Sequence, residues 1–390
     1  MTLYNTPPRI PFRITDDRNE MENLGRQIVE ANPDVYTDRV IGIVKRYIDN
    51  MMPNASAEEK EGVYYRSIYD YWAYGNSIAQ EFYYDFFNKS CEEKSSYIVA
   101  QTLKLYCAHL NDKVATDKLI NDKYGTYKFL RQYYFRDMIL IHDEGSYYEF
   151  HSFISKHPVF VVKPLNFGIG LYVYKDSVDN YASPRELFDK LLQERIRMAN
   201  DTSRNNILQV SGEVDVVLEE VINQAPEMAV FHPESVNSLR INTFKDGNDV
   251  KIFYPFLKVG VGNSIVDNAA AGGLFAGINL STGVVETDLF DEGRHCNNPL
   301  KCHPDTGVKV RGFQIPRWDE AVDLAKECSR KLDGINYVGW DFALTPRGWC
   351  IVEGNTNPAA AFYQIAYGRG MRKEFEEFIG WKLEKQFWWQ

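Results

Sequence analysis

The stretch GWDFALTPRGWCIVEGNTNPAAA, from Gly339 to Ala361, constrains the fold more tightly than any other part of the chain. It reads as two alternating strands joined by a turn at Pro346-Arg347-Gly348. A three-residue turn there sets Asp341 opposite Glu353. Side chains alternate with a period of two, so Asn355 shares a face with Glu353. Two carboxylates about 4 Å apart repel by roughly 4 kcal/mol at an effective dielectric of 20. Either something positive stands between them, or the face is solvated and the carboxylates splay apart. This segment alone leaves both arrangements open.

The rest of the chain reads as α+β. Residues 20–120 carry helical patterns. In YYRSIYDYWAYGNSIAQEFYYDFF, Ile68, Trp72, Ile78, Phe82 and Phe86 recur at helical spacing, as a packed helical core requires. Strand patterns begin with HPVFVVKPL (157–165) and GLYVYKD. They resume with DVVLEEVI after a helix whose start is marked by Ser183, Pro184 and Glu186. SLRINTF, DVKIFYPFLKVGVG and GLFAGINLSTGVVETDLF form an antiparallel set with Asp-Gly and Thr-Gly turn signals. An amphipathic helix, RWDEAVDLAKECSRKLDG, precedes the hairpin. The aromatic segment KEFEEFIGWKLEKQFWWQ is expected to pack on the core.

At 390 residues, 44% of them hydrophobic, the chain has room for two or three domains. Its net charge of -10 argues against nucleic acid or anionic membrane as the main partner, and leaves an anionic small molecule open. The opening residues have no apolar core of a signal peptide, and no run is long enough to span a bilayer. The six cysteines are scattered without a C-x-x-C pair, which fits reduced thiols in the cytoplasm.

Several positions could carry chemistry. Lys163 ends a strand just before a loop containing Asn166, Gly168 and Gly170, where backbone N–H groups could approach phosphate. Neither a Walker A pattern nor G-x-G-x-x-G is present, which argues against P-loop and Rossmann sites. The order of lysine and glycines and the missing H-R-D argue against a protein kinase. Glu220 to Ile222 form a strand edge that could exchange hydrogen bonds with adenine, with Glu227 further on. Arg240 lies opposite Leu239 and Ile241 in its strand and suits carboxylate or phosphate. Lys258, Asp267 and Asn268 lead into a small-residue loop ending at Gly272 and Gly273. His295, Cys296, Cys302 and His303 lack a zinc-finger spacing and read as a surface loop.

Taken in order, these pieces resemble the ATP-grasp superfamily, most closely its sugar-transfer-associated branch found with polysaccharide biosynthesis. The likeness rests on YGNSIAQEFYYDFF, NDKYGTYKF, VVKPLNFGIG, VNSLRINTF, VDNAAAGG, HPDTG and GWDFALTPRGWCIVEGNTNP, spanning roughly residues 70 to 360. It implies an ATP-grasp fold, two α+β subdomains gripping ATP, behind a helical N-terminal region. The corresponding divisions are 1–120, 121–222 and 223–390.

Carried over by position, the resemblance implies that Lys123 and Lys163 contact ATP phosphates, with Lys128 the alternative to Lys123. The loop with Asn166, Gly168 and Gly170 would fold over them. Glu219, Glu220, Val221 and Ile222 would form the adenine hinge. Glu227 would bind ribose, with Gln224 in reserve. Asp341, Glu353 and Asn355 would hold Mg2+ between the facing carboxylates. Asp267, Asn268, Gly272, Gly273 and His303 would face the substrate. Lys258 stands where arginine is expected, so Arg240 becomes the stronger candidate for the transferred phosphoryl group.

The activity implied is an ATP-dependent carboxylate–amine ligase working through an acyl phosphate. Its acid would be a sugar acid, free or nucleotide-linked, in capsule or exopolysaccharide biosynthesis. A small-molecule kinase and a non-catalytic nucleotide- or glycan-binding protein are the rival readings.

Overall fold

The structure, a computed structural model, describes residues 8–166, 172–200, 214–264, 267, 272–293, 295–384 and 387–389. The chain divides into two compact units. One comprises Met1–His109, Glu292–Pro299 and Ala359–Gln390; the other comprises Leu110–Asp291 and Leu300–Pro358. No helix among the described residues is long and apolar enough to cross a membrane.

The first unit is helical. Helix Arg18–Ala31 is capped by Asp17, whose carboxylate accepts from the Glu20 amide. Helix Ala57–Tyr74 opens on a reciprocal capping box between Ser56 and Glu59. It stops at Gly75, which turns left-handed at φ 88, so the aromatic-rich run forms two helices, the second Ile78–Tyr83. The core is aromatic. Trp72 is buried and donates its indole N–H to the Tyr36 hydroxyl at 2.8 Å, and Trp388 stacks on it with centroids 5.9 Å apart. That packing explains why residues 359–390 join this unit rather than the one that holds the hairpin. Inside it Lys94 donates to both oxygens of Asp70 at 2.9 and 2.7 Å. Burial raises the carboxyl pKa of Asp70 and, further, that of the neighbouring Glu81.

The second unit holds two antiparallel sheets. Strands β1 (Met138–Ile141), β2 (Val159–Pro164), β3 (Tyr174–Ser177) and β4 (Val216–Glu220) form one, in the order β1-β4-β2-β3. Strands β5 (Ser238–Asp246), β6 (Asp249–Val259), β7 (Leu274–Gly277), β8 (Tyr337–Thr345) and β9 (Gly348–Asn355) form the other, in the order β7-β6-β5-β8-β9. The edge strand β1 has no counterpart among the sequence expectations: four apolar residues without alternation carry little period to read. Helix Trp318–Arg330 packs Ala321, Ala325 and Cys328 into the core over β5. At the helix Pro184–Asn200, the Ser183 hydroxyl accepts from the Glu186 amide as expected. The Glu186 carboxylate reaches back instead to the Ala182 amide, one residue earlier than a capping box requires.

Gly25 permits a close approach between helices Arg18–Ala31 and Ala57–Tyr74. A Cβ built there would lie 2.1 Å from the Tyr65 carbonyl oxygen, a backbone atom that cannot swing aside. Gly25→Ala should therefore push helix Arg18–Ala31 off its neighbour and lower stability by about 1–3 kcal/mol. Urea denaturation of the variant checks this, and an unchanged midpoint would refute the close packing.

Candidate functional site

Strand β4 runs through the middle of the four-stranded sheet and delivers Glu219 and Glu220 at its end. Glu219 pairs with Met138 on one side and Val161 on the other. The Glu219 side chain is buried and accepts from Lys163 at 2.9 Å and from Arg136 Nε at 3.1 Å. Burial works against its charge, but the two cations prevail and hold its carboxyl down at about 2. Glu220 accepts from the Asp137 amide at 2.9 Å, and His157 Nε2 lies 3.1 Å from the Asp137 carboxylate, closing this end of the strand.

Two adjoining cavities open here. The first, of about 130 Å³, is lined by Lys163, Glu219, Glu220, Val221, Ile222 and Asp267, together with Lys175, Gln224, Glu234 and Ser238. The second, of about 90 Å³, is lined by Lys123, Lys163, Asn166, Glu219, Glu353 and Asn355. Both share Lys163, Glu219 and Val352. The structure thus brings together the hinge, both lysines and two of the three residues expected to hold metal.

Lys123 opens helix Lys123–Phe129, whose N-cap Asp122 accepts from the Gly125 amide. Its ammonium donates to the Pro164 and Leu165 carbonyls at 3.3 and 3.2 Å. Burial lowers its pKa, and the Glu353 carboxylate opposes that. Lys128 is exposed over the Tyr124 ring and lines neither cavity, so geometry favours Lys123.

The hairpin pairs Asp341 with Glu353, although not by the expected route. Its turn has two residues, Pro346-Arg347, and Gly348 already pairs with Thr345. That register alone would misalign the carboxylates by one residue. A β-bulge at Val352 inserts the missing residue, so Phe342 pairs with Ile351 and Asp341 with Glu353. The positive charge beside Asp341 comes from the protein. Arg240 grips both its oxygens, Nε on Oδ1 and Nη2 on Oδ2 at 2.9 Å. Lys258 donates to Oδ2 at 3.1 Å.

Burial disfavours the charge on Asp341, but Arg240 and Lys258 hold its pKa below the usual value. Lys258 also reaches Asp267 Oδ1 at 3.1 Å, and Asp267 accepts from the Ser238 hydroxyl. A compact ammonium serves two carboxylates in this way where a planar fork would favour one. Arg240 is 6% exposed, which rules out the solvated strand arginine. Glu353 keeps a partly exposed carboxylate, with the Asn355 amide donating to it at 3.2 Å.

Other expected residues fall elsewhere. Glu227 is exposed in the short helix Pro226–Ala229 and lines neither cavity; Glu234 lines the first one in its place. Gln224 spends its amide on the carbonyls of His232, Pro233 and Ser235, and its oxygen accepts from Asn237. It therefore organises the loop. His303 is buried and donates Nε2–H to the Gly260 carbonyl at 2.7 Å, while His232 does the same to Gly262 at 2.8 Å. The two histidines pin the chain leaving β6, and His303 lines neither cavity. Gly272 is left-handed at φ 90 just before β7, with Gly273 following. Gly168, Gly170 and Asn268 lie outside the described residues. Arg136, Lys175 and Glu234 were not singled out from sequence, since no motif marks them.

Residues 103–379 match the family described as sugar-transfer associated ATP-grasp, and the chain belongs to that family. No curated protein matches it in sequence. Among solved structures, the L-amino acid ligase of Bacillus licheniformis is similar at 12% identity and TM-score 0.38, over 66% of this chain and 47% of its own. D-alanyl-alanine synthetase A of Vibrio cholerae matches at 11% identity and TM-score 0.39, over 69% and 65%. N5-carboxyaminoimidazole synthase of Aspergillus clavatus, solved with ADP and an aminoimidazole ribonucleotide, matches at 10% and 0.39, over 74% and 60%. The chain thus spans less than two thirds of the length of each of these relatives.

The depressed Glu219 carboxyl sets a pH dependence. Its contribution to stability is complete above the unfolded carboxylate pKa and is lost as pH falls from about 4.3 toward about 2. At neutral pH, E219Q should be less stable than the parent by about 3 kcal/mol. That gap should narrow through this acid window, because the parent's Glu219 then becomes neutral as well. Urea titrations at a series of pH values check it; a gap constant down to pH 2 would refute the ion triad.

Proposed function

We propose that the protein is an ATP-dependent carboxylate–amine ligase that activates its acid as an acyl phosphate. One observation supports the nucleotide site above all: two contiguous cavities join the strand edge Glu219–Ile222 to Lys123, Lys163, Glu353 and Asn355. Adenine would hydrogen-bond the edge, Glu234 would accept from ribose, and the two lysines would meet the phosphates. Asn166 would lie at the same phosphate end.

Magnesium suits the oxygens of Glu353 and Asn355, which are partly exposed beside the lysines. Asp341 joins that set only by sharing a carboxylate that Arg240 and Lys258 already hold. When bound, magnesium would offset the charge of the triphosphate. In the first step a substrate carboxylate oxygen bonds to the γ-phosphorus, and the bond to the β-phosphate oxygen breaks, leaving ADP. In the second an amine attacks the acyl carbon, loses a proton and expels inorganic phosphate. Arg240 and Lys258 would stabilise the transferred group and the oxyanion as their hold on Asp341 is shared. No covalent nucleophile of the protein is needed.

The family's link to sugar transfer supports a sugar acid as the carboxylate partner, free or nucleotide-linked, in capsule or exopolysaccharide synthesis. The second cavity, mainly polar, would serve a hydroxyl acceptor as well as a carboxylate, so a kinase is the second reading. The test is hydroxylamine trapping with Mg-ATP and a panel of sugar acids, nucleotide-linked uronic acids and amino acids. A hydroxamate that requires enzyme, ATP and one acid supports the ligase. ADP with a stable phosphate ester and no hydroxamate would replace it with the kinase.

Glu353→Gln removes a metal-binding charge without filling or emptying space. It should lower magnesium-dependent ATP turnover by about 10²-fold or more while leaving the circular dichroism spectrum unchanged. Near-normal turnover in that variant would sink the assignment of Glu353.

A further inference from the structure

We infer that Arg136 is a positioning residue that ties the nucleotide hinge to the strand bearing Glu353, orienting Lys163 through Glu219 and Glu353 through the bulge in β9. The inference rests on the ATP-binding reading above.

Arg136 lies just before β1 and is 3% exposed. A guanidinium has five N–H donors in a rigid plane, and here four of them make hydrogen bonds. Nε donates to Glu219 Oε2 at 3.1 Å, and Nη2 lies 3.0 Å from the same oxygen. Nη1 donates to the carbonyls of Tyr134 and Ile351 at 3.3 and 2.5 Å, and Nη2 to that of Val352 at 3.2 Å. The two β9 carbonyls belong to the bulge, where the ladder leaves Val352 without a partner on β8.

One side chain thus fixes both halves of the site at one remove. On one side, Glu219 is shared between Arg136 and Lys163, so the lysine is held at 2.9 Å by a carboxylate that Arg136 orients. On the other, the residue after Val352 is Glu353. Val352 also lines both cavities. A lysine at 136 would keep the charge, but with three donors radiating from one atom it could not span Glu219 and two carbonyls together.

The test compares ATP with adenosine. R136K is first shown to be folded by circular dichroism and used well below its melting temperature. Affinities for ATP and adenosine are then measured by calorimetry over a range of free Mg2+. A merely structural residue would weaken both ligands in parallel. The expected result is a split: ATP affinity falls about tenfold or more, and the Mg2+ needed for half-maximal ATP binding rises, while adenosine affinity changes by less than about twofold. Parallel losses, or no change in either, would overturn the inference.

If R136K does not fold, R136Q replaces it. Its neutral amide can donate to no more than two acceptors at once, and Glu219 keeps Lys163 as its cation. The same split is expected from it, and the same parallel result would overturn the inference. Failure of the parent protein to bind ATP would instead overturn the nucleotide-site reading, and this inference with it.

Discussion

Asp341 cannot remain ionised in its buried place without partners, and the larger sheet is arranged around supplying them. Arg240 comes from β5 and Lys258 from β6, so three strands converge on one carboxylate. With Asp267 the set holds two cations and two anions. Such a cluster adds little net stability, because desolvation consumes most of the attraction. Removing a single member is another matter, since an uncompensated buried charge costs about 3–5 kcal/mol. The cluster therefore tolerates no piecemeal change. Any phosphate or metal that draws on Asp341, Arg240 or Lys258 meets charges already oriented and already dehydrated, which is the condition for strong electrostatic stabilisation.

The smaller sheet solves the same problem with a different set. There one anion, Glu219, serves two cations, so the triad itself carries one positive charge. The asymmetry is chemically sensible. On the proposed reading the lysines would attract phosphate, whereas the Asp341 cluster holds its two cations and two anions in balance.

Much of this was legible in the sequence, and the limits are instructive. Strands β2, β4, β5 and β6 and the helix Trp318–Arg330 follow from alternation and amphipathic spacing. The facing of Asp341 and Glu353 was anticipated from a three-residue turn, yet it arises from a two-residue turn and a bulge. The two errors cancel, because a residue moved from the turn into the strand leaves the far pairing unchanged. What periodicity could not reveal was the provenance of the positive charge. Arg240, Lys258 and Asp341 are separated by up to about a hundred residues, and only strand pairing brings them together. Arg136 was silent for the same reason: its four acceptors come from β4, β9 and its own approach to β1. The ribose candidate shifted from Glu227 to Glu234 because Glu234 lines the cavity beside the edge strand and Glu227, within its short helix, lines neither.

The first unit is assembled from three separate stretches of chain, with Trp388 stacked on Trp72 and donating to the Tyr71 carbonyl. On the ribosome, its opening helices emerge long before the tryptophan that completes their core. The intervening unit, with its own two sheets, is synthesised in the meantime. The early helices must therefore wait with an aromatic face uncovered. Its final closure belongs to the period after the last strands have been made, and transiently exposed apolar surface of this kind is prone to aggregation until then.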